Sequence, residues 1–112
     1  MSDEPDPWRH VASLDELPEG RAHRIDVEGV EAFLVRSGDT IYALALRCSH
    51  QGAPLDRGTL RLTGTPLTVT CPAHGSMFDL TTGEVRRGPA MHPIPSFETR
   101  VVDGAVELRL SV

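Results

Sequence analysis

Lysine is absent. All 11 basic residues are arginine, set against 16 aspartates and glutamates, for a formal charge of −5. Without a basic excess there is no electrostatic footprint for nucleic acid or for an anionic lipid surface, and both are excluded as partners. Long apolar runs are missing as well. The longest, such as 41–46, fall far short of the ~18 residues of a membrane span. The N-terminus, Met1-Ser-Asp-Glu-Pro-Asp-Pro7, is acidic and lacks the basic and apolar regions of a secretory signal. A cytoplasmic location is expected. Only two cysteines occur. They could form one disulfide, but in a reducing compartment they should be thiolates with a task or buried thiols. At 112 residues the chain has room for about one domain, which excludes a second, catalytic one. It is a small module or one subunit of a larger system, expected to be a monomer by itself. Hydrophobic residues make up 39%, enough for a modest core.

Helical periodicity over three turns is absent, as are repeats and low-complexity tracts. Ser13-Leu-Asp-Glu16 has capping-box spacing and predicts one short helical turn, closed by Pro18 and Gly20. The rest is punctuated as all-β. Segments 21–27 and 30–36 flank Glu28-Gly29, and 40–46 follows the Ser37-Gly38-Asp39 turn. Segments 97–102 and 105–112 flank Asp103-Gly104, a strong hairpin signal. Within the last, Val106, Leu108, Leu110 and Val112 alternate with Glu107, Arg109 and Ser111, so one face packs and the other meets water. The middle, 47–95, is dense in Gly, Pro and Thr with short apolar runs such as Leu67-Thr-Val69. It reads as irregular chain that needs another source of order. A bound inorganic centre would supply it.

Cys48-Ser-His50 and Cys71-Pro-Ala-His74 lie in that middle, twenty residues apart. Both cysteines of the chain are used, each with a histidine close by and a glycine (Gly52, Gly75) following. Four soft or borderline donors in two pairs point to a metal site. Three other readings exist. Two buried cysteines beside two surface histidines would leave the matching pairs unexplained, and a catalytic Cys–His dyad would leave one pair over. A structural Cys2His2 zinc fits the donor set, but zinc pairs usually have two or more intervening residues, and Cys48-Ser-His50 has one. A binuclear centre removes that difficulty, because the two donors of one loop can bind different irons, as where two His replace two Cys on one iron of a 2Fe–2S cluster.

These loops resemble a known family. Cys48-Ser-His50-Gln-Gly52-Ala-Pro-Leu and Cys71-Pro72-Ala-His74-Gly75-Ser76-Met-Phe78-Asp79, followed by Thr82-Gly83-Glu84, are similar to the two ligand loops of Rieske-type 2Fe–2S proteins. Gly88-Pro89-Ala90 resembles the proline loop that covers the cluster there. The resemblance implies that Cys48 and Cys71 hold the inner iron, His50 and His74 the outer one, and that Ser76 hydrogen-bonds a cluster sulfur. It implies one 2Fe–2S cluster in a single domain, 1–112: an antiparallel β-sandwich base (8–46 and 93–112) with a small inserted cluster-binding subdomain (about 47–92).

Two ferric ions and two sulfides sum to +2, and two thiolates bring the centre to zero, so reduction gives −1. Four thiolates would give −2 going to −3. Neutral His ligands therefore raise the potential from about −400 mV toward roughly −150 to +300 mV. The respiratory branch of the family has an extra cysteine in each loop, joined as a disulfide. Ala53 and Ala73 stand in those places here. That branch also hydrogen-bonds the cluster from a serine and a tyrosine. Ser76 matches the serine, but Phe78 has no hydroxyl, so the low end of the range is expected.

His10, His23 and His92 lie outside the motifs and read as surface or structural residues. Trp8 reads as an anchor of the first strand, Arg86-Arg87 as a solvated turn, and the acidic leader as disordered. The resemblance implies a soluble carrier that takes single electrons from an NAD(P)H-dependent ferredoxin reductase and passes them to a terminal oxygenase, with no substrate chemistry of its own. The alternative is the small subunit of an assimilatory NADH-dependent nitrite reductase. A zinc-stabilised interaction module belongs to a different class, and colour separates it from the first two: red-brown for iron–sulfur, colourless for zinc.

Overall fold

Tight turns set the strand registers. In the computed structural model, which describes residues 7–110, β1 (Trp8–Ser13) leads into a 3-10 turn at Leu14–Glu16. There the Ser13 N–H donates to the Glu16 carboxylate at 2.9 Å, as the capping-box spacing predicts. β2 (Ala22–Val27) and β3 (Val30–Ser37) are joined through Glu28 and Gly29, at φ 52° and 84°. Positive φ at both central positions is what a type I′ turn requires, and it seats Val27 opposite Val30. β4 (Thr40–Ala45) returns along β3. Asp103 and Gly104, at φ 50° and 79°, repeat the arrangement between Val102 and Ala105. Most of the acidic leader and Val112 lie outside the described residues.

The middle of the chain departs from the expectation of irregular structure. β5 (Thr59–Arg61), β6 (Thr68–Thr70), β7 (Met77–Asp79) and β8 (Val85–Arg87) form an antiparallel sheet of their own in sequential order. Its order therefore comes first from backbone hydrogen bonds. Residues 97–102 are not one strand either. β9 (Ser96–Phe97) pairs with β4, whereas β10 (Thr99–Val102) pairs with β11 (Ala105–Arg109), so the chain changes sheets at Glu98.

Three layers result. The sheet β2-β3-β4-β9 lies between β1-β11-β10 on one side and the β5-to-β8 sheet on the other. A strand covered on both faces reads as a continuous apolar run, and Ala32-Phe33-Leu34-Val35 in β3 is such a run, buried throughout. Ala32 and Leu34 pack with Val106 and Leu108 in one core. Phe33 and Val35 pack with Leu44, Leu46, Val69 and Phe78 in the other, which also contains Cys48 and Cys71. One strand thus couples the base to the candidate site. Trp8 sits where an anchor of β1 should: it opposes Arg109 of β11, and the Arg100 guanidinium stacks 4.2 Å from its ring centre.

Candidate metal centre

Cys48 and Cys71 begin two loops with the same backbone wiring. Cys48 N–H donates to the Ala53 carbonyl (2.9 Å) and Gly52 N–H to the Cys48 carbonyl (2.8 Å). In the second loop Cys71 N–H donates to Ser76 (2.7 Å) and Gly75 N–H to Cys71 (3.1 Å). Offsets are identical, and each loop closes on a glycine with positive φ, 77° at Gly52 and 80° at Gly75, where a β-carbon would be strained. Each histidine projects from within such a closed turn.

Both cysteines are free thiols and only 3% exposed. Burial pushes the Cys48 thiol up, partly offset by the N–H groups of His50 and Gln51; Cys71 beside it pushes the same way as burial. A bound metal centre would supply the positive charge that stabilises thiolate ligands in this apolar setting. The His50 and His74 rings are exposed and stand edge to face, centroids 5.1 Å apart. The four donors thus fall into a buried thiol pair and an exposed imidazole pair. Among the described residues no three His, Cys, Asp or Glu side chains converge as they would on a single ion. Donors paired this way suit a two-metal core with thiolates inside and imidazoles outside better than one tetrahedral zinc.

The residues around the loops were partly foreseen. Ser76 is fully buried, and its Oγ accepts from Ala90 N–H at 2.9 Å, which leaves the hydroxyl proton free to donate elsewhere. Phe78 is fully buried in the core that holds the thiols. Arg86 is exposed, as expected, but it lies in β8 rather than in a turn, and its guanidinium donates to Asp79 Oδ2 at 2.7 and 3.1 Å. Asp79 Oδ1 also accepts from Thr81 N–H (2.7 Å) and Thr82 N–H (3.3 Å). The signal for this turn was present in Asp79-x-Thr-Thr-Gly83, since an Asp side chain readily accepts from backbone N–H groups two and three residues on. Arg87, next along β8, is exposed.

Burial pushes the Asp79 carboxyl up, but Arg86 and the Thr81 and Thr82 N–H groups outweigh it and hold it below the ordinary carboxylate value. A carboxylate with a depressed folded pKa contributes its full stability above the unfolded value, about 3.9. That contribution is lost as pH falls through the lower folded value. The turn at 79–86 should therefore loosen in acid below about pH 4, read as faster exchange of the Thr81 and Thr82 amides after correction for intrinsic rates. Asp79→Asn should remove this acid step. Protection at those amides that does not change into acid would contradict the assignment.

Comparison with known proteins agrees with the geometry. The model of the Rieske [2Fe-2S] domain matches residues 7–98. The 3-phenylpropionate/cinnamic acid dioxygenase ferredoxin subunit of Photorhabdus laumondii is 32% identical over 101 residues, covering 90% of this chain and 92% of that one. Apoptosis-inducing factor 3 of mouse is 28% identical over 101 residues, and there the chain spans only 16% of the relative's length. Among solved structures, the ferredoxin of carbazole 1,9a-dioxygenase from Nocardioides aromaticivorans superposes with a TM-score of 0.87 at 33% identity, covering 93% of this chain and 98% of that one. A putative NADH-dependent nitrite reductase small subunit from Mycobacterium tuberculosis superposes at 0.84 with 24% identity, covering 97% and 100%, a likeness of fold alone. Paired ligand loops, the three-layered β fold and a family match over most of the sequence agree, and the chain belongs to the Rieske [2Fe-2S] domain family.

Proposed function

We propose that this chain is a one-electron carrier that takes electrons from an NAD(P)H-dependent ferredoxin reductase and delivers them to a terminal oxygenase. In this reading Cys48 and Cys71 hold the inner iron of a 2Fe–2S cluster and His50 and His74 the outer one. The observation that carries it is the pairing just described, thiols buried together and imidazoles exposed together. The cluster, when bound, supplies a one-electron couple. Cys48 and Cys71, being buried, would hold it on the side away from water, and His50 and His74, being exposed, would hold it on the side toward solvent. No helix among the described residues is long and apolar enough to cross a membrane. A cytoplasmic location suits two thiols that must stay reduced. The domain divides, on this reading, into a base (8–46 and 93–112) and a cluster-binding part (47–92), supported by the separate β5-to-β8 sheet.

The oxygenase assignment is favoured over the nitrite reductase alternative because the P. laumondii and Nocardioides ferredoxins exceed 30% identity across about nine tenths of each chain. The test is reconstitution. NADH and a ferredoxin reductase should bleach the visible band of this chain anaerobically, and a terminal oxygenase with its substrate should restore it. A chain that the reductase cannot reduce, or that gives up electrons only to a nitrite reductase, overturns the proposal.

Two variants probe the site, one at its surface and one in its interior. Residues 48–53, 71–76 and 88–93 contain no Asp, Glu or Arg, although 24% of the chain is charged. Among them Met91 is 85% exposed. An uncharged rim with one protruding apolar side chain suits apolar docking. Burying a Met contributes about 1.5–3 kcal/mol, so Met91→Ser should raise the KM of the oxygenase for this carrier by about tenfold with an unchanged visible spectrum. An unchanged KM would exclude Met91 from the interface. For Ser76, a hydrogen bond to a cluster sulfur strengthens as reduction adds negative charge; bonds to charged groups are worth about 1.5–3 kcal/mol, of which the redox difference is a fraction. At about 59 mV per 1.4 kcal/mol, Ser76→Ala should lower the potential by several tens of millivolts. A shift within ~10 mV of zero would mean that Ser76 donates elsewhere.

A further inference from the structure

Residues 88–92 pass from β8 over the ligand loops and are tied to each of them by one serine. Ser76, in the second loop, accepts from Ala90 N–H through its buried Oγ at 2.9 Å. Ser49, between Cys48 and His50 in the first loop, donates its hydroxyl to the His92 carbonyl at 2.5 Å. These ties bridge 14 and 43 residues of sequence and lie two residues apart on the covering segment. The next anchor on the C-terminal side is Ile94, which is buried and whose N–H donates to the Gly83 carbonyl at 2.9 Å. Ala90 is buried, but Gly88, Pro89, Met91, His92 and Pro93 are all exposed, and the two prolines have no N–H to donate.

We infer that Ser49 and Ser76 form a two-point clasp that holds segment 88–92 closed over the cluster side of the two loops, with Ser49 as its solvent-side fastener. Ser49 is a positioning residue: it binds no metal, and its hydroxyl fixes how closely the covering segment lies against the first loop. The Ser76 tie is sealed from water while the segment is closed, so it opens only when the segment lifts. The Ser49 tie is exposed, so its loss should set how often the segment lifts. Lifting would admit water and small chelators to the inner iron. That consequence rests on the proposed cluster ligation; the clasp itself is a contact within the protein.

The test uses Ser49→Ala and Ser49→Thr in the full chain as purified, with two readouts. The first is deuterium exchange of the 88–93 peptide, in which the Ala90 amide reports lifting. The second is bleaching of the visible band by an iron chelator in air. Removing the tie should speed both about fivefold, equivalent to about 1 kcal/mol for one hydrogen bond. Ser49→Thr, which keeps the hydroxyl, should restore the parent rates, and global unfolding should be unchanged in both variants. Ser49→Ala with parent exchange at Ala90 overturns the clasp. So does Ser49→Thr behaving like Ser49→Ala. If the parent protein lacks a visible band, the cluster reading fails instead, and the exchange readout still decides the clasp.

Discussion

Cys48→Ser and Cys71→Ser are each expected to yield protein with no 2Fe–2S cluster. Both sulfurs lie in the core formed by Phe33, Leu46, Leu55, Val69, Phe78 and Leu80, away from solvent. A serine hydroxyl there would have to ionise in an apolar setting to replace a thiolate, at a pKa far above that of cysteine. Metal-binding free energy is also folding free energy where the site is not preformed in the unfolded chain. Loss should therefore loosen 48–53, 71–76 and 88–92. The β5-to-β8 sheet has its own backbone ladder and should survive. Iron and sulfide analysis with amide exchange reads both effects. A full complement of two irons and two sulfides in either variant would remove that cysteine from the ligand set.

Gly83→Ala should be the most damaging substitution that touches no proposed ligand. Gly83 has φ +80°, which costs an L residue about 1–2 kcal/mol. A β-carbon there would also lie 2.0 Å from the Ile94 carbonyl oxygen, which no side-chain rotation can relieve because the obstacle is backbone. The same glycine accepts from Ile94 N–H (2.9 Å) and donates to the Asp79 carbonyl (2.8 Å), so relaxation would break bonds that tie the β7–β8 turn to the chain returning from the covering segment. The expected loss exceeds about 4 kcal/mol, a large part of the ~5–15 kcal/mol of a whole domain. Gly29→Ala is the control. Its φ is +84°, but nothing lies within 4 Å of the added atom, so only the conformational strain should appear. Equal losses in urea unfolding would show that the approach of Ile94 does not matter.

The sequence made the outer strands and the ligand loops readable for physical reasons. Glu28-Gly29 and Asp103-Gly104 announce hairpins because few residue pairs tolerate two positive φ values in succession. The donors stand out because cysteine is rare here and both copies are followed closely by histidine. The β5-to-β8 sheet was hidden because strands of three residues are too short for period-2 alternation to register; tertiary pairing, not local propensity, specifies them. The break at Glu98 was hidden for a related reason. Residues 96–102 alternate acceptably for one strand, and only the presence of two different neighbours, β4 and β11, divides them. The Arg86–Asp79 ion pair was hidden because the two residues lie seven apart across a hairpin whose strands are too short to register in the sequence.

The central claim is that the two loops divide their donors between two irons, sulfur to one and nitrogen to the other. Mössbauer spectroscopy of oxidised, iron-enriched protein measures that division directly. Two ferric doublets of equal area and distinct isomer shift are predicted, because one iron would have only sulfur donors and the other two imidazole nitrogens. A single doublet from two equivalent irons, or a preparation that holds one zinc and no iron, would contradict the assignment of Cys48 and Cys71 to one metal and His50 and His74 to the other.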